Sequence, residues 1–167
     1  MRIAAVCGSL QARSSNRTLV EVAKAVAPEG VEVAVFDGLG RLPLFNPDLE
    51  QDGAAPDAVL AWRRALAESD AVLIASPEYG HSLTGAIKNA IDWVIGTGEL
   101  ERKVVAITAA VPHVERGRMG LQALRQTLGA VSATVVGGEP IARGEAFERD
   151  VRALVEATVA AARAVSA

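Results

Sequence analysis

The chain has 167 residues, half of them apolar, which is enough to bury a sizeable core and predicts one domain over residues 1–167. Its 17 basic and 20 acidic residues give a net charge of −3, with no basic stripe for nucleic acid and no acidic block typical of a solvated tail. The longest apolar runs are as short as strands and the first residues lack a signal-peptide pattern, so we expect a cytoplasmic protein without a membrane span.

Strands and helices alternate along the first half of the chain. The run Ile3–Cys7 is continuously apolar and stops at Gly8, which predicts a buried parallel strand. Cys7 is the only cysteine, so an internal disulfide is excluded, and we interpret it as a small buried hydrophobe. The elements predicted here are a strand at 3–7, a helix at about 16–27, an edge strand at 31–35, a long proline-containing connection at 38–56 and a helix at about 57–68.

The second half continues the alternation. The elements predicted here are a strand at 71–75, a helix at 84–95, a strand at 104–108, a helix ending near 128, a weaker strand at 131–136 and a terminal helix at about 144–165. Five alternations predict an α/β fold in which helices cover both faces of a parallel sheet. For such a three-layer sandwich the flavodoxin-like strand order 2-1-3-4-5 is the natural candidate, and its ligand crevice lies where strands 1 and 3 meet.

The first loop, residues 8–16, is rich in hydrogen-bond donors and leads into a predicted helix. It reads Gly-Ser-Leu-Gln-Ala-Arg-Ser-Ser-Asn. Unsatisfied backbone N–H groups converge at a helix N-terminus, and hydroxyl donors beside them favour an anion site. Ordinary capping by Ser15 or Asn16 is the alternative, although four polar donors exceed what one cap needs. The sequence lacks the P-loop signature, which argues against a nucleotide triphosphatase.

The second loop, residues 76–82, combines stiff and permissive positions. Pro77 fixes its own φ and Gly80 allows unusual backbone angles, so the loop can present N–H and C=O groups to the edge of a flat heterocycle. Tyr79 adds an aromatic face or a hydroxyl, and a plain turn with a surface tyrosine is the alternative. Because both loops follow strands that are adjacent in the predicted sheet, we expect them to hold one planar, phosphorylated cofactor.

The segment Gly85–Ile95 carries two adjoining apolar stripes. Their members are Ala86, Ala90 and Trp93 in one, and Ile87, Ile91, Val94 and Ile95 in the other. One stripe would pack on the sheet and the other on a second copy, so we predict a homodimer or tetramer with Trp93 as an interface anchor. The alternative is that Trp93 covers the sheet edge within one subunit.

Both loops resemble those of the NADPH-dependent FMN reductase family, which includes quinone, azo and chromate reductases. The first loop is similar to the family pattern G-S-x-R-x-x-S-x-N, and Pro77–Trp93 is similar to P-E-Y-N-x-S-x-P-G-x-L-K-N-A-I-D-W. Residues 42–49 resemble the family's connection after strand two. The resemblance implies a flavodoxin-like fold, bound FMN, NADPH or NADH as electron donor, and a dimer or tetramer.

The resemblance also implies a set of cofactor-binding residues. They are Ser9, Ser14 and Asn16 around the phosphate, and Pro77, Glu78, Tyr79 and Gly80 along the ribityl chain and isoalloxazine. Gln11, Arg13 and Ser15 of the same loop are our further candidates for the phosphate site. Gln11 stands where the family usually has an arginine, and we expect Arg13, with Arg17 nearby, to supply the missing charge. Gly80 replaces the family's asparagine, so we expect FMN to bind more loosely.

The third loop, residues 109–120, would complete the pocket. Its segment 112–115 departs from the small residues that the family has there, and we assign it no contacts. We interpret His81 and His113, the only histidines, as polar loop residues rather than an acid or base, with the alternative that His81 reaches the substrate side of the flavin.

The implied activity is a flavin-dependent oxidoreduction. NAD(P)H would pass hydride to flavin N5, and a quinone, azo, chromate or free-flavin acceptor would take two electrons. This chemistry needs no protein nucleophile and no metal, and we expect neither. Two alternatives are a flavodoxin-type electron carrier without its own NAD(P)H oxidation, and a non-redox binding module on the same fold.

Overall fold

The computed structural model of the protein describes residues 1–50 and 55–166, so part of the connection at 38–56 lies outside the described residues. The strands are β1 (Arg2–Cys7), β2 (Glu32–Phe36), β3 (Ala71–Ala75), β4 (Val104–Thr108), β5 (Ala110–Val111), β6 (Thr134–Gly137) and β7 (Ile141–Ala142). The helices are α1 (Ser15–Ala25), α2 (Asp57–Ala67), α3 (Gly85–Asp92), α4 (Arg118–Ala130) and α5 (Phe147–Ser166). Short 3₁₀ turns lie at Leu39–Arg41 and Pro47–Leu49.

The main sheet is parallel and has five strands in the order β2-β1-β3-β4-β6. This confirms the predicted flavodoxin-like order, in which the fifth strand of the sheet is β6 because the short β5 intervenes. Strands β3 and β4 have the predicted bounds and are buried at every position, since helices cover both sheet faces.

Two hydrophobic layers lie on the two faces of the sheet. Alternate strand residues point to opposite faces, so Val72 and Ile74 pack with α2, α3 and α4, whereas Ala71 and Leu73 pack with α1 and α5. None of the described helices combines the length and apolar character that a membrane crossing requires. The layers leave the carboxyl ends of β1 and β3 as neighbours, and the first two loops begin there.

A small parallel sheet of β5 and β7 extends the β4–β6 pair beyond its carboxyl end, and the sequence did not predict it. Gly137 and Gly138 bend the chain with φ of +70° and +103°, which residues other than glycine rarely adopt. The N–H of Gly138 then bonds to the carbonyl of Ile107 at 2.8 Å. The predicted fifth strand at 131–136 is therefore shifted to Thr134–Gly137, and the extension forms the base of the third loop.

Trp93 is 1% exposed within its own chain, so the predicted role of Trp93 as an interface anchor is wrong. Its Nε1 donates a hydrogen bond to the carbonyl of Pro43 at 2.8 Å, and its ring meets Phe45 edge-on at 5.1 Å between centroids. Both apolar stripes pack largely inside the subunit, where Trp93 lies against the connection after β2. Oligomer formation itself stays a prediction.

Asn89 fixes the connection after β2 onto α3. Its Oδ1 accepts a hydrogen bond from the N–H of Phe45 at 2.8 Å, and its Nδ2 donates to the carbonyl of Pro43 at 2.9 Å. One side-chain amide thus satisfies two backbone groups of a segment without regular structure.

We expect Asn89→Ala to lower the free energy of unfolding by about 1–2 kcal/mol, because it removes two hydrogen bonds and leaves the Phe45 N–H without its partner, while the Pro43 carbonyl keeps the Trp93 indole as a donor. Lys88→Ala on the same helix loses only an exposed ion pair with Asp92 and should cost less than about 0.5 kcal/mol. Urea unfolding followed by circular dichroism measures both, and equal losses would contradict the role of Asn89.

Candidate functional site

The first loop forms a cradle at the start of α1. Ser14 caps this helix, and its Oγ accepts a hydrogen bond from the N–H of Asn16 at 3.2 Å. The Oγ of Ser9 likewise accepts from the N–H of Gln11 at 3.3 Å. Both serines are buried, yet among the described residues each hydroxyl only accepts a hydrogen bond, so its own hydrogen remains for a ligand.

Backbone donors lie beside these hydroxyls. In the described part of the chain, the N–H groups of Ser15 and Arg17 at the first turn of α1 have no acceptor. Free N–H groups and the helix dipole attract negative charge to such a position. The donor set therefore fits a phosphate group.

The two arginines of this region have different surroundings. Arg17 pairs with Asp37, and this hydrogen bond raises the pKa of the Arg17 guanidinium. Arg13 is exposed and has no ion pair among the residues that the structure describes. Arg13 is therefore the arginine that remains free to meet an anion at the first loop.

Asn16 joins the first loop to the third. This buried side chain accepts a hydrogen bond at Oδ1 from the N–H of Ala110, with a length of 2.8 Å. Its oxygen is thus used inside the protein, and only the Nδ2 donor remains for a ligand. The sequence pattern did not reveal this contact, because the two residues are 94 positions apart.

Thr84 joins the first loop to the start of α3. Its Oγ1 donates to the carbonyl of Gly8 at 2.9 Å and accepts from the N–H of Ile87 at 3.4 Å. A Cβ at Gly8 would lie 2.7 Å from Ser76 Oγ and 2.8 Å from Ile87 Cγ1. Only glycine lets the first loop approach the second loop this closely.

The second loop ends in a tight hairpin turn. Tyr79 and Ser82 exchange two N–H···O=C hydrogen bonds of 3.1 Å, and Gly80 and His81 between them have φ of +57° and +60°. Positive φ at both central residues is typical of a type I′ turn. No atom lies within 4 Å of a Cβ built on Gly80, so an asparagine would also fit this position.

The carboxylate of Glu78 binds the N-terminus of α4. Its Oε2 accepts from the N–H of Gly120 at 2.9 Å, and Oε1 lies 3.3 Å from Nδ1 of His81. The Gly120 hydrogen bond is the main reason why the pKa of Glu78 is lowered, with a smaller contribution from His81. A Cβ at Gly120 would lie 2.9 Å from Glu78 Cβ, so glycine is required for this approach.

A cleft of about 540 Å³ opens between the second and third loops. Its lining residues are Pro77, Glu78, His81, Ala110, Val111, Pro112, Glu115, Arg116, Gly117 and Met119. The third loop, to which the sequence assigned no contacts, therefore supplies most of one wall. The two glycines at the start of α4, Gly117 and Gly120, were the feature of the sequence that could have indicated this wall.

A depression of similar volume lies at the opposite, amino-terminal edge of the sheet. Glu32 and Asp70 line it; the Arg2 guanidinium pairs there with Glu68 and Glu32, and the backbone N–H of Arg2 donates to Asp70. Because carboxylates already surround its cation, this depression does not suit an anionic cofactor.

The chain is similar in sequence and in fold to known proteins. Residues 1–148 match the family model for NADPH-dependent FMN reductase. An NAD(P)H:quinone oxidoreductase of Solanum tuberosum is 43% identical over 96 residues, which cover 56% of this chain and 49% of that protein. A quinone reductase of Escherichia coli (strain K12) is 30% identical over 138 residues, covering 81% of this chain and 73% of that protein.

The chain spans about half the length of several of the curated relatives that it matches. Among solved structures, FerB, a flavoenzyme NAD(P)H:(acceptor) oxidoreductase from Paracoccus denitrificans, matches with a TM-score of 0.85 and 28% identity. That match covers 98% of this chain and 97% of the other.

The lowered pKa of Glu78 links stability to pH. Folding favours the ionised carboxylate, so its contribution is fully present above the ordinary value of 4.5 and is lost as the pH falls through the lower value of the folded state. We therefore expect Glu78→Gln to be destabilised relative to the parent at pH 7, and the difference to shrink as the pH falls below about 4.5.

Urea unfolding between pH 7 and pH 3 measures this difference, with the exposed Glu115→Gln as a control on the facing loop. A difference between parent and Glu78→Gln that stays constant over this range would show that the carboxylate charge does not stabilise α4.

Proposed function

The chain belongs to the NADPH-dependent FMN reductase family, and we propose that it is an FMN-dependent NAD(P)H oxidoreductase that reduces a quinone, azo, chromate or free-flavin acceptor. Bound FMN would supply the redox chemistry by taking hydride at N5 from NAD(P)H and passing two electrons on. We also propose that residues 1–167 act as one flavin-binding domain.

The observation that carries this proposal is the donor set of the first loop. The hydroxyls of Ser9 and Ser14 and the free N–H groups at the start of α1 belong to one short loop, and they would bind the FMN phosphate. Gln11, Arg13, Ser15 and the amide nitrogen of Asn16 complete the proposed phosphate site. The charge of Arg13 would replace the one lost at Gln11.

The second loop would hold the ribityl chain and the ring through Pro77, Glu78, Tyr79 and Gly80. Because the Glu78 carboxylate is bonded to Gly120, we propose that Glu78 contributes through its backbone and by fixing the loop. Backbone N–H groups at the ring would stabilise negative charge that develops during reduction.

The cleft beside this loop would receive the nicotinamide donor and then the acceptor. Val111, Pro112 and Met119 give it an apolar wall that would pack against flat rings and exclude water, while Arg116 adds a cation. In the proposed reaction no side chain of the protein needs to form a covalent bond with a substrate.

We further propose a cytoplasmic homo-oligomer. Within Gly85–Ile95, burial of Trp93 and Val94 leaves Ile95 as the exposed large apolar side chain, 53% exposed, so an assembly through this segment would use Ile95.

The decisive experiment is a titration of the full chain with FMN, followed by addition of NADPH and a soluble benzoquinone. We expect saturable binding and steady NADPH oxidation without a partner protein. Flavin binding without quinone-dependent NADPH oxidation would favour the electron carrier. FMN that stays fully dialysable at millimolar concentration would contradict the proposed function altogether.

Arg13→Ala should weaken FMN binding by about tenfold, because it removes a charge-assisted contact worth roughly 1.5 kcal/mol. Arg17→Ala is the matched control, since its guanidinium is already bonded to Asp37, and its effect should be clearly smaller. Quenching of flavin fluorescence gives both dissociation constants. A parent-like constant for Arg13→Ala would show that this charge does not meet the phosphate.

A further inference from the structure

Glu78 and His81 form a hydrogen-bonded carboxylate–imidazole pair on the wall of the cleft. Nδ1 of His81 faces Oε1 of Glu78 at 3.3 Å, and both residues line the cleft. The His81 side chain is 75% exposed, so the far edge of its ring, with Nε2, is open to a ligand. The described contacts of the phosphate cradle do not involve this pair.

The carboxylate partner of the ring and the backbone of His81 are each held in a defined place. The other oxygen of Glu78 is bonded to the Gly120 N–H, which ties the carboxylate to the first turn of α4. His81 itself sits at φ +60°, a conformation that costs a residue with a Cβ about 1–2 kcal/mol. Strained residues at the rim of a binding cleft often serve its function.

Other charged groups of the cleft lie on the facing loop. Glu115 and Arg116 line it together with the apolar side chain of Met119. Neither Glu115 nor Arg116 forms an ion pair with His81, whose charged partner among the described residues is Glu78. Of the side chains that line the cleft, His81 carries the one imidazole, a ring with one nitrogen bonded to Glu78 and a second nitrogen that can donate a hydrogen.

We propose that His81 is a catalytic residue that donates a proton from Nε2 to the oxygen of a quinone acceptor, and that Glu78 is its positioning residue. This inference rests on the proposed function. Glu78 would accept the Nδ1–H hydrogen bond and so hold the ring with Nε2 towards the acceptor, as carboxylates orient histidines elsewhere.

The proton completes a balanced reaction. A quinone, NAD(P)H and one proton give a hydroquinone and NAD(P)⁺. The hydride supplies both electrons and one hydrogen, and NAD(P)H is the species oxidised. The second hydrogen arrives when the N–H bond of protonated His81 breaks and an O–H bond forms on the quinone oxygen. Solvent then returns a proton to His81, which the exposure of the ring permits.

The test compares quinone with ferricyanide, an electron acceptor that takes up no proton. In His81→Gly the ring is removed and the positive φ becomes free of strain, so the turn should fold at least as well as in the parent. We expect the ratio of quinone to ferricyanide turnover to fall about a hundredfold, the lower end for a lost general acid. His113→Gly, the other histidine and not part of the cleft lining, should keep the parent ratio.

Two further readouts separate proton donation from a structural role. Added imidazole should restore quinone turnover in His81→Gly, because it can occupy the space of the missing ring. In the NMR spectrum of the parent, hydroquinone should shift the imidazole signals of His81 and leave those of His113 unchanged.

The outcomes distinguish the two proposals. A parent protein that reduces neither acceptor contradicts the proposed function. A parent that reduces both, together with an unchanged acceptor ratio in His81→Gly, overturns the role of His81 alone. A fall in the ratio that imidazole does not restore, with no shift of the His81 signals, also overturns it.

Discussion

Three hydrogen bonds between loops hold the carboxyl edge of the sheet in one arrangement. Thr84 donates to the Gly8 carbonyl, the Ala110 N–H donates to Asn16, and the Gly120 N–H donates to Glu78. Their partners are 76, 94 and 42 positions apart, so each bond forms only when the strand order is already correct. A buried group left without such a partner would cost about 1–3 kcal/mol, which makes the loops mutually dependent.

This constraint divides the polar residues of the edge into two groups. Asn16, Glu78 and Thr84 use their oxygens within the protein and fix the shape of the site. Ser9 and Ser14 keep hydroxyl hydrogens for a ligand. Substitutions in the first group would therefore disturb ligand binding through the loops, even where the side chain does not touch the ligand.

The sequence predicted those parts of the fold that local patterns determine. The strands β3 and β4 are uninterrupted apolar runs, and the first two loops carry recognisable donors and turn residues. It did not predict the β5–β7 pair, whose two-residue strands are too short to show a period. The prediction of Trp93 as an interface anchor was also wrong. The sequence of an apolar helix stripe is the same whether the stripe packs on a partner or on a distant segment of its own chain.

Both tryptophans lie in one of the two hydrophobic layers. Trp62 is bonded through Nε1 to the carbonyl of Ala90, and Trp93 to that of Pro43. The layer formed by α1 and α5 contains no indole among its described core residues. Tryptophan fluorescence therefore reports on the α2–α4 side, and an intermediate that has lost α1 and α5 alone would leave the surroundings of both indoles unchanged. Studies of the folding kinetics of this chain by fluorescence thus require a second optical probe on the other side of the sheet.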